Sequence, residues 1–317
     1  MSLPRFPNVR VLPPETEGWG FFLCTRKDVR QGRAGDPFIA MQLQDRTGVV
    51  RGRILSDVAR LGDEFDSGDF VKVQGRTELY NGRMQLVVEN IRRVNPDQDR
   101  PQGFREADCT LCAPRPVDEM WAELNELILH VRDPFVRELL QRMMSQHADK
   151  LRIWPAAQTV HHAYRSGFLE HILSVARSAL MLGASYAANK DLLTAGAILH
   201  DIGKLEELEY DRTTSYTREG NLVGHVALGV MMVRAAIAAV PDFPDILRTQ
   251  IEHLIVSHHG RKEFGAPVEP MTIEAMILSA ADDLDAKINQ VTQAIAEDGD
   301  GEFTAYHQRL GRVLWRG

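Results

Sequence analysis

The chain is poor in cysteine and has no long apolar run. Only Cys24, Cys109 and Cys112 occur among its 317 residues, too few for a disulfide framework, which favours a reducing compartment. Cys109 and Cys112 form a single CxxC with no second pair to complete a zinc site. No window approaches the roughly 20 apolar residues of a membrane-spanning helix, and the first residues lack a signal-peptide core. We therefore expect a cytoplasmic protein that does not bind membranes.

The chain also lacks a basic excess, since its formal net charge is −7. Residues 18–96 nevertheless carry thirteen Lys and Arg against ten Asp and Glu, so the remainder is acidic. The length suits about two domains. A weakly basic module joined to an acidic one is typical of a polyanion-binding domain attached to a metal-binding domain. Uneven surface charge without a function is the alternative.

Residues 19–94 show the period-two alternation of half-buried β-strands. In residues 38–44, Ile39, Met41 and Leu43 alternate with Ala and Gln. A turn sequence at 45–48 leads to a second strand at 49–55, and residues 69–75 and 84–88 flank a hairpin with the turn Asn81-Gly82. About five short strands in such a segment predict a small closed barrel.

The strand order, the DRTG turn and the string GDFVKVQGRTELYNGRMQLVV resemble an OB-fold of the nucleic-acid-binding kind. Such barrels hold single strands with aromatic rings and basic side chains on one face. An ordinary core or surface role is the alternative for any one residue, so the group carries the inference. The candidate contacts are Phe38, Arg51, Arg53, Lys72, Arg76, Tyr80 and Arg83.

A polar, proline-containing stretch follows the barrel. Its composition predicts a linker over residues 96–117, which leaves an all-β OB-fold domain over 1–95 and an all-α helical domain over 118–317. In the second domain, Met120, Leu124, Leu127 and Ile128 form the apolar stripe of an amphipathic helix. Similar spacing farther along the chain predicts a helical bundle.

The most informative motif is an apolar helix that ends in the string HDIGK at residues 200–204. Asp191 is placed to cap this helix. An imidazole beside a carboxylate at the end of a buried helix is costly unless a cation binds them. One such histidine is ordinary, but seven candidate ligands from five segments predict a site for one or two metal ions. They are His171, His200, Asp201, His225, His258, His259 and Asp282.

The ordered set His171, His200-Asp201 and Asp282 matches the H…HD…D signature of the HD phosphohydrolase superfamily. The strings HHAYRSGFLEH, AILHDIGKLEEL, GNLVGH, SHHG and DDLDAK, behind an OB-like barrel, more narrowly resemble the YhaM family of 3′-to-5′ exoribonucleases. This resemblance spans residues 18–293. It implies a metal-dependent exonuclease that cleaves single-stranded RNA, with single-stranded DNA as an alternative, and releases nucleoside monophosphates.

The resemblance also implies roles for individual residues. Asp201 would bridge two divalent ions, with His171, His200 and Asp282 at one ion and His225, His258 and His259 at the other. Manganese is the expected metal, although iron, cobalt, nickel and zinc suit the same donors. Lys204 would stabilise charge on the phosphate, and a surface lysine at a helix end is the alternative. His162 and Arg165 would contact the nucleic acid, and a simple structural role is the alternative for both. Apart from the resemblance, Tyr216 lies in a polar connection between two ligand helices and is a candidate for stacking on a terminal base.

Two other interpretations stay open. The same cluster would support a phosphohydrolase of nucleotides or cyclic dinucleotides, although a small nucleotide needs no single-strand platform. A non-catalytic nucleic-acid-binding regulator is the other, and the complete ligand set argues against it. Apolar surface in so helical a domain is compatible with a homo-oligomer.

Overall fold

The structure is a computed structural model that describes residues 3–32, 35–80, 82–158, 162–211, 213–297 and 301–317. It contains two compact units, one formed by residues up to Cys112 and the other beginning at Ala113. Each unit has its own hydrophobic core. Among the helices of the described residues, none combines the length and apolar content that a membrane span requires.

The first unit is a closed five-stranded barrel. Its elements are β1 (Glu17–Gln31), β2 (Pro37–Asp45), β3 (Gly48–Ile54), α1 (Val58–Gly62), β4 (Phe70–Tyr80), β5 (Arg83–Arg93) and α2 (Pro96–Asp99). The strands pair in the order β1-β2-β3-β5-β4, with β3 and β5 parallel and the other pairs antiparallel. The predicted OB-fold barrel is confirmed.

Side-chain alternation places the barrel core as the sequence predicted. Ile39, Met41 and Leu43 on β2 are buried inside the barrel, where they pack with Val71 and Leu86. The hairpin between β4 and β5 closes at the pair Tyr80–Arg83. Asn81, half of its predicted turn, lies outside the described residues.

The segment expected to be a linker belongs largely to the barrel unit. Phe104 is buried, and its ring meets those of Phe21 and Phe70 edge-on at centroid distances of 5.3 and 5.5 Å. Arg92 also donates two 2.7 Å hydrogen bonds to Asp99. A few buried groups therefore anchor a stretch whose average composition is polar, and the unit extends to Cys112.

The second unit is a bundle of helices. They are α3 (Val117–Leu129), α4 (Pro134–Ile153), α5 (Gly167–Ser185), α6 (Lys190–Leu199), α7 (Lys204–Glu207), α8 (Arg218–Val223), α9 (His225–Ala238), α10 (Asp245–Ser257) and α11 (Ile273–Glu297). Helix α6 is buried along almost its whole length and packs against α5, α10 and α11. A helix that is apolar on all sides belongs at the centre of a core.

Three details of this unit differ from the sequence-based expectations. Asn189, not Asp191, caps α6, because its side chain accepts the backbone N–H of Asp191 at 2.9 Å. A short hairpin of β6 (Leu208–Tyr210) and β7 (Thr214–Tyr216) interrupts the helices. Residues 302–317 are not helical and instead form the isolated bridges Phe303–Trp315 and His307–Arg312.

Candidate active site

Asp201 lies in a tight turn at the end of α6. Helix α6 stops at Leu199 and α7 begins at Lys204, so His200 and Lys204 do not lie on one continuous helix. A Cβ atom at Gly203 would overlap the carbonyl oxygen of His225. The glycine therefore lets the start of α9 approach this turn closely.

All seven predicted metal ligands come from elements that meet at this turn. The sequence placed them on separate segments, and the fold brings them together. His171 lies on α5, His200 and Asp201 follow α6, His225 begins α9, His258 and His259 follow α10, and Asp282 lies on α11.

The two carboxylate oxygens of Asp201 face two different sets of imidazoles. Oδ2 lies 3.4 Å from His171 Nε2 and 3.5 Å from His200 Nε2. Oδ1 lies 3.4 Å from His225 Nε2 and 3.5 Å from His258 Nε2. One buried carboxylate therefore stands between two groups of nitrogen donors.

The remaining two candidate ligands complete one group each. Asp282 Oδ1 lies 3.4 Å from His171 Nε2 and 3.7 Å from His200 Nε2. His259 Nε2 lies 3.3 Å from His225 Nε2. The donor atoms of each group fall within 4.8 Å of one another, close enough to hold a metal ion.

Four of the five imidazoles have a fixed orientation because their Nδ1 atoms have partners. An acceptor at Nδ1 holds the hydrogen there and leaves Nε2 as a lone-pair donor. The acceptors are the carboxylates of Asp285 for His171 (2.8 Å) and Glu207 for His225 (3.1 Å), and the carbonyls of Ala197 for His200 (3.0 Å) and Ile255 for His258 (2.7 Å).

The charges of the cluster suit metal coordination. Burial alone would raise the pKa of Asp201, but the Lys204 ammonium and the His200 imidazole hold that pKa well below its usual range. Burial lowers the pKa of His258, and burial together with His258 lowers the pKa of His259 to about 4. Asp201 is therefore ionised and His258 and His259 are neutral near pH 7, the forms in which these groups bind a metal.

The residues present fit a divalent cation. Asp201 Oδ1 and His258 Nε2 are buried and make no hydrogen bond within the described residues. Burying such acceptors without a partner is costly, whereas a cation would satisfy both. Imidazole nitrogens mixed with carboxylate oxygens are donors that first-row divalent metals accept.

The barrel unit carries a separate group of aromatic and basic residues. The Arg53 guanidinium lies over the Tyr80 ring at 4.6 Å and over the Phe38 ring at 5.6 Å from their centroids. Arg51, Arg53, Tyr80 and Arg83 line a cavity of about 350 Å³. Such a combination suits a single strand, because rings stack on bases and guanidinium groups bind phosphates.

Two family models match the two units. Residues 168–287 match the HD domain, and residues 24–94 match the OB-fold nucleic acid binding domain. Over 274 residues the chain is 36% identical to the 3′-5′ exoribonuclease YhaM of Bacillus subtilis, and the match covers 85% of each chain. The chain belongs to the YhaM family. The YhaM exoribonuclease of Bacillus licheniformis is 35% identical with the same coverage.

Membership in the YhaM family agrees with the cluster around Asp201. The HD domain implies binding of divalent metal, and the match spans all seven candidate ligands. The OB-fold model likewise supports binding of single-stranded nucleic acid by the barrel.

Lys204 has a partner that the sequence did not predict. Its ammonium donates to Asp201 Oδ2 at 2.6 Å, and only 12% of its side chain is exposed. Burial alone would lower the pKa of Lys204, but the Asp201 carboxylate raises that pKa. Lys204 is therefore a charged, buried neighbour of Asp201 and not a surface lysine.

The other candidate substrate contacts in the helical unit fall into two classes. His162 is 4% exposed, and its ring nitrogens lie near Glu170 and Asp285, so the structure does not present it to a substrate. Arg165 is exposed. Tyr216 is 45% exposed and pairs with Leu208, directly after the Glu207 that contacts His225.

Lys72 differs from the other barrel candidates. Its ammonium lies 4.6 Å from the centroid of the Trp19 ring, contacts Gln102 and lies 3.7 Å from Asp99 Oδ1. Gln102 and Asp99, which belong to the segment predicted to be a linker, contact the ammonium of Lys72. The structure therefore does not support the predicted contact of Lys72 with nucleic acid. Arg76 lies 3.8 Å from Glu78 Oε2 and does not line the cavity of Arg51 and Tyr80.

Sequence reasoning missed the residues that support the ligands. Asp285 lies three residues after Asp282, and Glu207 lies three residues after Lys204. Helical spacing could have placed each of them beside a known member of the cluster. Glu170, next to His171 in the sequence, carried no such signal because adjacent helical residues point in different directions.

Proposed function

We propose that this protein is a metal-dependent 3′-to-5′ exoribonuclease that hydrolyses phosphodiester bonds of single-stranded RNA and releases nucleoside monophosphates. The observation that carries the proposal is the position of Asp201, whose two oxygens face separate donor groups. The direction and the RNA substrate come from the names of the relatives in the family.

Two ions at this site, preferably manganese, fit the ligand set. His171, His200 and Asp282 would hold one ion, His225, His258 and His259 the other, and Asp201 would bridge them. Bound there, the ions would supply positive charge against the phosphate oxygens and lower the pKa of a water. The mixed donors would also accept iron, cobalt, nickel or zinc.

The protein's own residues prepare the site for that chemistry. Lys204 partly neutralises Asp201 and keeps it ionised, while Asp285 and Glu207 orient the imidazoles that they contact. Lys204 would also favour the approach of an anionic phosphate, because its buried positive charge is weakly screened. Tyr216, exposed beside the site, is a candidate for stacking on a terminal base.

On the barrel, Phe38, Arg51, Arg53, Tyr80 and Arg83 form the proposed strand-binding face. The cation–π pairs hold the rings and guanidinium groups in one patch. Stacking and phosphate contacts of this kind tolerate any base, which suits an exonuclease that degrades a strand processively or step by step. Single-stranded DNA would be a weaker alternative substrate.

The test uses RNA labelled at either end and incubated with manganese and the purified protein. With a 5′ label we expect a ladder of shortening products, and with a 3′ label immediate release of labelled mononucleotide. Internal cleavage products would contradict the proposal, as would the absence of cleavage with manganese, iron, cobalt, nickel and zinc in turn. A matched single-stranded DNA compares the two substrate classes.

We propose a cytoplasmic location and a homo-oligomeric state as further properties. The three cysteines, all in the described residues, form no disulfide, which suits a reducing compartment. Helix α11 exposes an apolar stripe of Ile273, Met276, Leu284 and Ile288 that a second copy could cover. Light scattering on the Leu284→Asp variant tests the oligomer, which should dissociate if this stripe is its interface.

A further inference from the structure

A chain of hydrogen bonds between side chains begins at Nδ1 of His171, the ring nitrogen that faces away from the candidate metal site. His171 Nδ1 lies 2.8 Å from Asp285 Oδ2, and the same oxygen lies 3.0 Å from His162 Nε2. On its other side, His162 Nδ1 lies 3.0 Å from Glu170 Oε2. Tyr164 donates its hydroxyl hydrogen to the same oxygen of Glu170. The chain therefore runs Glu170–His162–Asp285–His171.

This chain is shielded from water. The exposed fractions of the side chains are 6% for His162, 9% for Asp285 and 16% for Glu170, while His171 is fully buried. Both ring nitrogens of His162 face carboxylate oxygens, which accept hydrogen bonds, so both nitrogens carry hydrogen and the ring is positively charged. A cation thus lies between two carboxylates, and charge-assisted hydrogen bonds of this kind are strong.

The backbone holds His162 in this place. Its φ angle is +48°, in the left-handed region that residues other than glycine rarely adopt. Its N–H donates to Asn289 Oδ1 at 3.2 Å, and its carbonyl accepts from Ala156 N–H at 3.0 Å. A Cβ at Gly167 would overlap that carbonyl oxygen, so the glycine is needed for this packing. Such strain persists where surrounding contacts fix it, often at functional sites.

We propose that His162 is a positioning residue that holds Asp285 against His171 and thereby fixes the orientation and tautomer of His171 as a metal ligand. The inference rests on the proposed metal pair. Asp285 Oδ2 accepts from both imidazoles, and Ser174 also hydrogen-bonds to this carboxylate, so removing His162 would leave Asp285 without the charged partner opposite His171 and would weaken its hold on that ring. His171 would then lose its fixed tautomer. Loss of such a supporting residue typically costs about 10- to 100-fold in metal affinity.

This assignment replaces a contact between His162 and RNA, and the two roles predict different results. A positioning residue changes metal binding in the absence of any nucleic acid. A substrate contact changes the KM for RNA and leaves metal binding unchanged. The test is therefore a calorimetric titration of the metal-free full-length protein with Mn²⁺ alone.

In the His162→Ala variant we expect the affinity for one ion to fall about 10- to 100-fold while the affinity for the other changes little. His162→Gln keeps an N–H donor toward Asp285 and should recover part of that loss. His130→Gln is the matched control, because His130 is exposed at the end of α3 and its ring contacts the carbonyl of Glu126 in its own helix. With saturating Mn²⁺, His162→Gln should lower kcat more than it raises KM.

Native affinity for both ions in His162→Gln and His162→Ala would overturn the proposal, as would a rise in KM as the only defect. If the alanine variant does not fold, the glutamine variant decides, with its circular dichroism compared to that of the native protein. Failure of the native protein itself to bind Mn²⁺ would instead contradict the proposed metal pair, so the two failures are distinguishable.

Discussion

At the scale of single residues, Asp201 places one negative charge between the two groups of metal-ligand candidates. Replacing it with Asn keeps its size but removes the negative charge between the imidazoles. We expect Asp201→Asn to lower RNA cleavage at least about 100-fold and to weaken Mn²⁺ binding, while RNA binding by the barrel is retained. Rates from labelled RNA and filter binding measure the two effects.

Asp283→Asn is the control for this change. Asp283 lies beside Asp282 on α11, but it is exposed and pairs with Lys287. Its substitution should leave cleavage unchanged. Native activity in Asp201→Asn would contradict the assignment of the carboxylate.

A second prediction at residue scale concerns acid stability of the barrel. Burial would raise the pKa of Asp99, but hydrogen bonds from Arg92 and the Asn95 N–H lower it. Because the folded pKa lies below the unfolded value of about 3.9, the pair stabilises the fold above that pH. This stabilisation is lost as the pH falls through the folded pKa.

We therefore expect Asp99→Asn to reduce protection from hydrogen exchange in residues 96–112 by about 1–3 kcal/mol at pH 7. The difference from the native protein should shrink as the pH falls below about 4. Equal protection of both proteins at pH 7 would show that the pair does not anchor this segment.

The sequence predicted the metal-facing residues better than their supports. Histidines on apolar segments are recognisable because burial without a partner is costly. The partner of His162, by contrast, lies 123 residues away at Asp285, and the partner of Lys72 is a segment whose composition is polar. Contacts over such distances in sequence depend on packing, which residue spacing does not reveal.

At the scale of elements, the close approach of α9 to the turn after α6 should depend on Gly203. A methyl group there would overlap the carbonyl of His225, so Gly203→Ala should destabilise the helical unit by about 1–3 kcal/mol and weaken Mn²⁺ binding. Gly229→Ala is the control, since its Cβ would meet its nearest neighbour at 3.4 Å. Thermal unfolding and titration with Mn²⁺ compare the two variants. Equal stability and equal Mn²⁺ affinity of Gly203→Ala and Gly229→Ala would contradict the role given to Gly203.

The face between β2, β3 and the β4–β5 hairpin should supply affinity for RNA. We expect Tyr80→Ala combined with Arg53→Ala to cost about 1–3 kcal/mol of binding per stacked base lost, with little effect on cleavage of a dinucleotide. Arg30→Ala is the control, because Arg30 is exposed and already lies 3.0 Å from Asp28. Unchanged affinity measured by fluorescence anisotropy would remove this face from RNA binding.

Strands were easier to predict than the end of the barrel. Alternation along β2 reports directly which side chains point inward, so Ile39, Met41 and Leu43 identified both strand and core. The segment after β5 has no such period. Phe104 and Cys109 are buried against the barrel there, with Val94 half-buried beside them, and so few apolar residues do not make the average composition of the segment apolar.

At the scale of the whole molecule, residues 96–112 determine where the barrel unit ends and thus which fragment should fold by itself. A fragment ending at residue 112 keeps Phe104 on Phe21 and Phe70, whereas one ending at 95 exposes these rings. We expect the longer fragment to unfold cooperatively and the shorter one to be less stable by several kcal/mol. Urea denaturation of both fragments provides the measurement, and equal midpoints would return residues 96–112 to the role of a linker.

The central claim is that two donor groups converge on the two oxygens of Asp201 to hold a pair of ions. Anomalous scattering from crystals of the manganese-loaded protein tests it most directly. We predict two anomalous peaks per chain, one beside each oxygen of Asp201, with His171 at the first and His258 at the second. A single peak away from Asp201, or none in protein that still degrades RNA, would contradict the account.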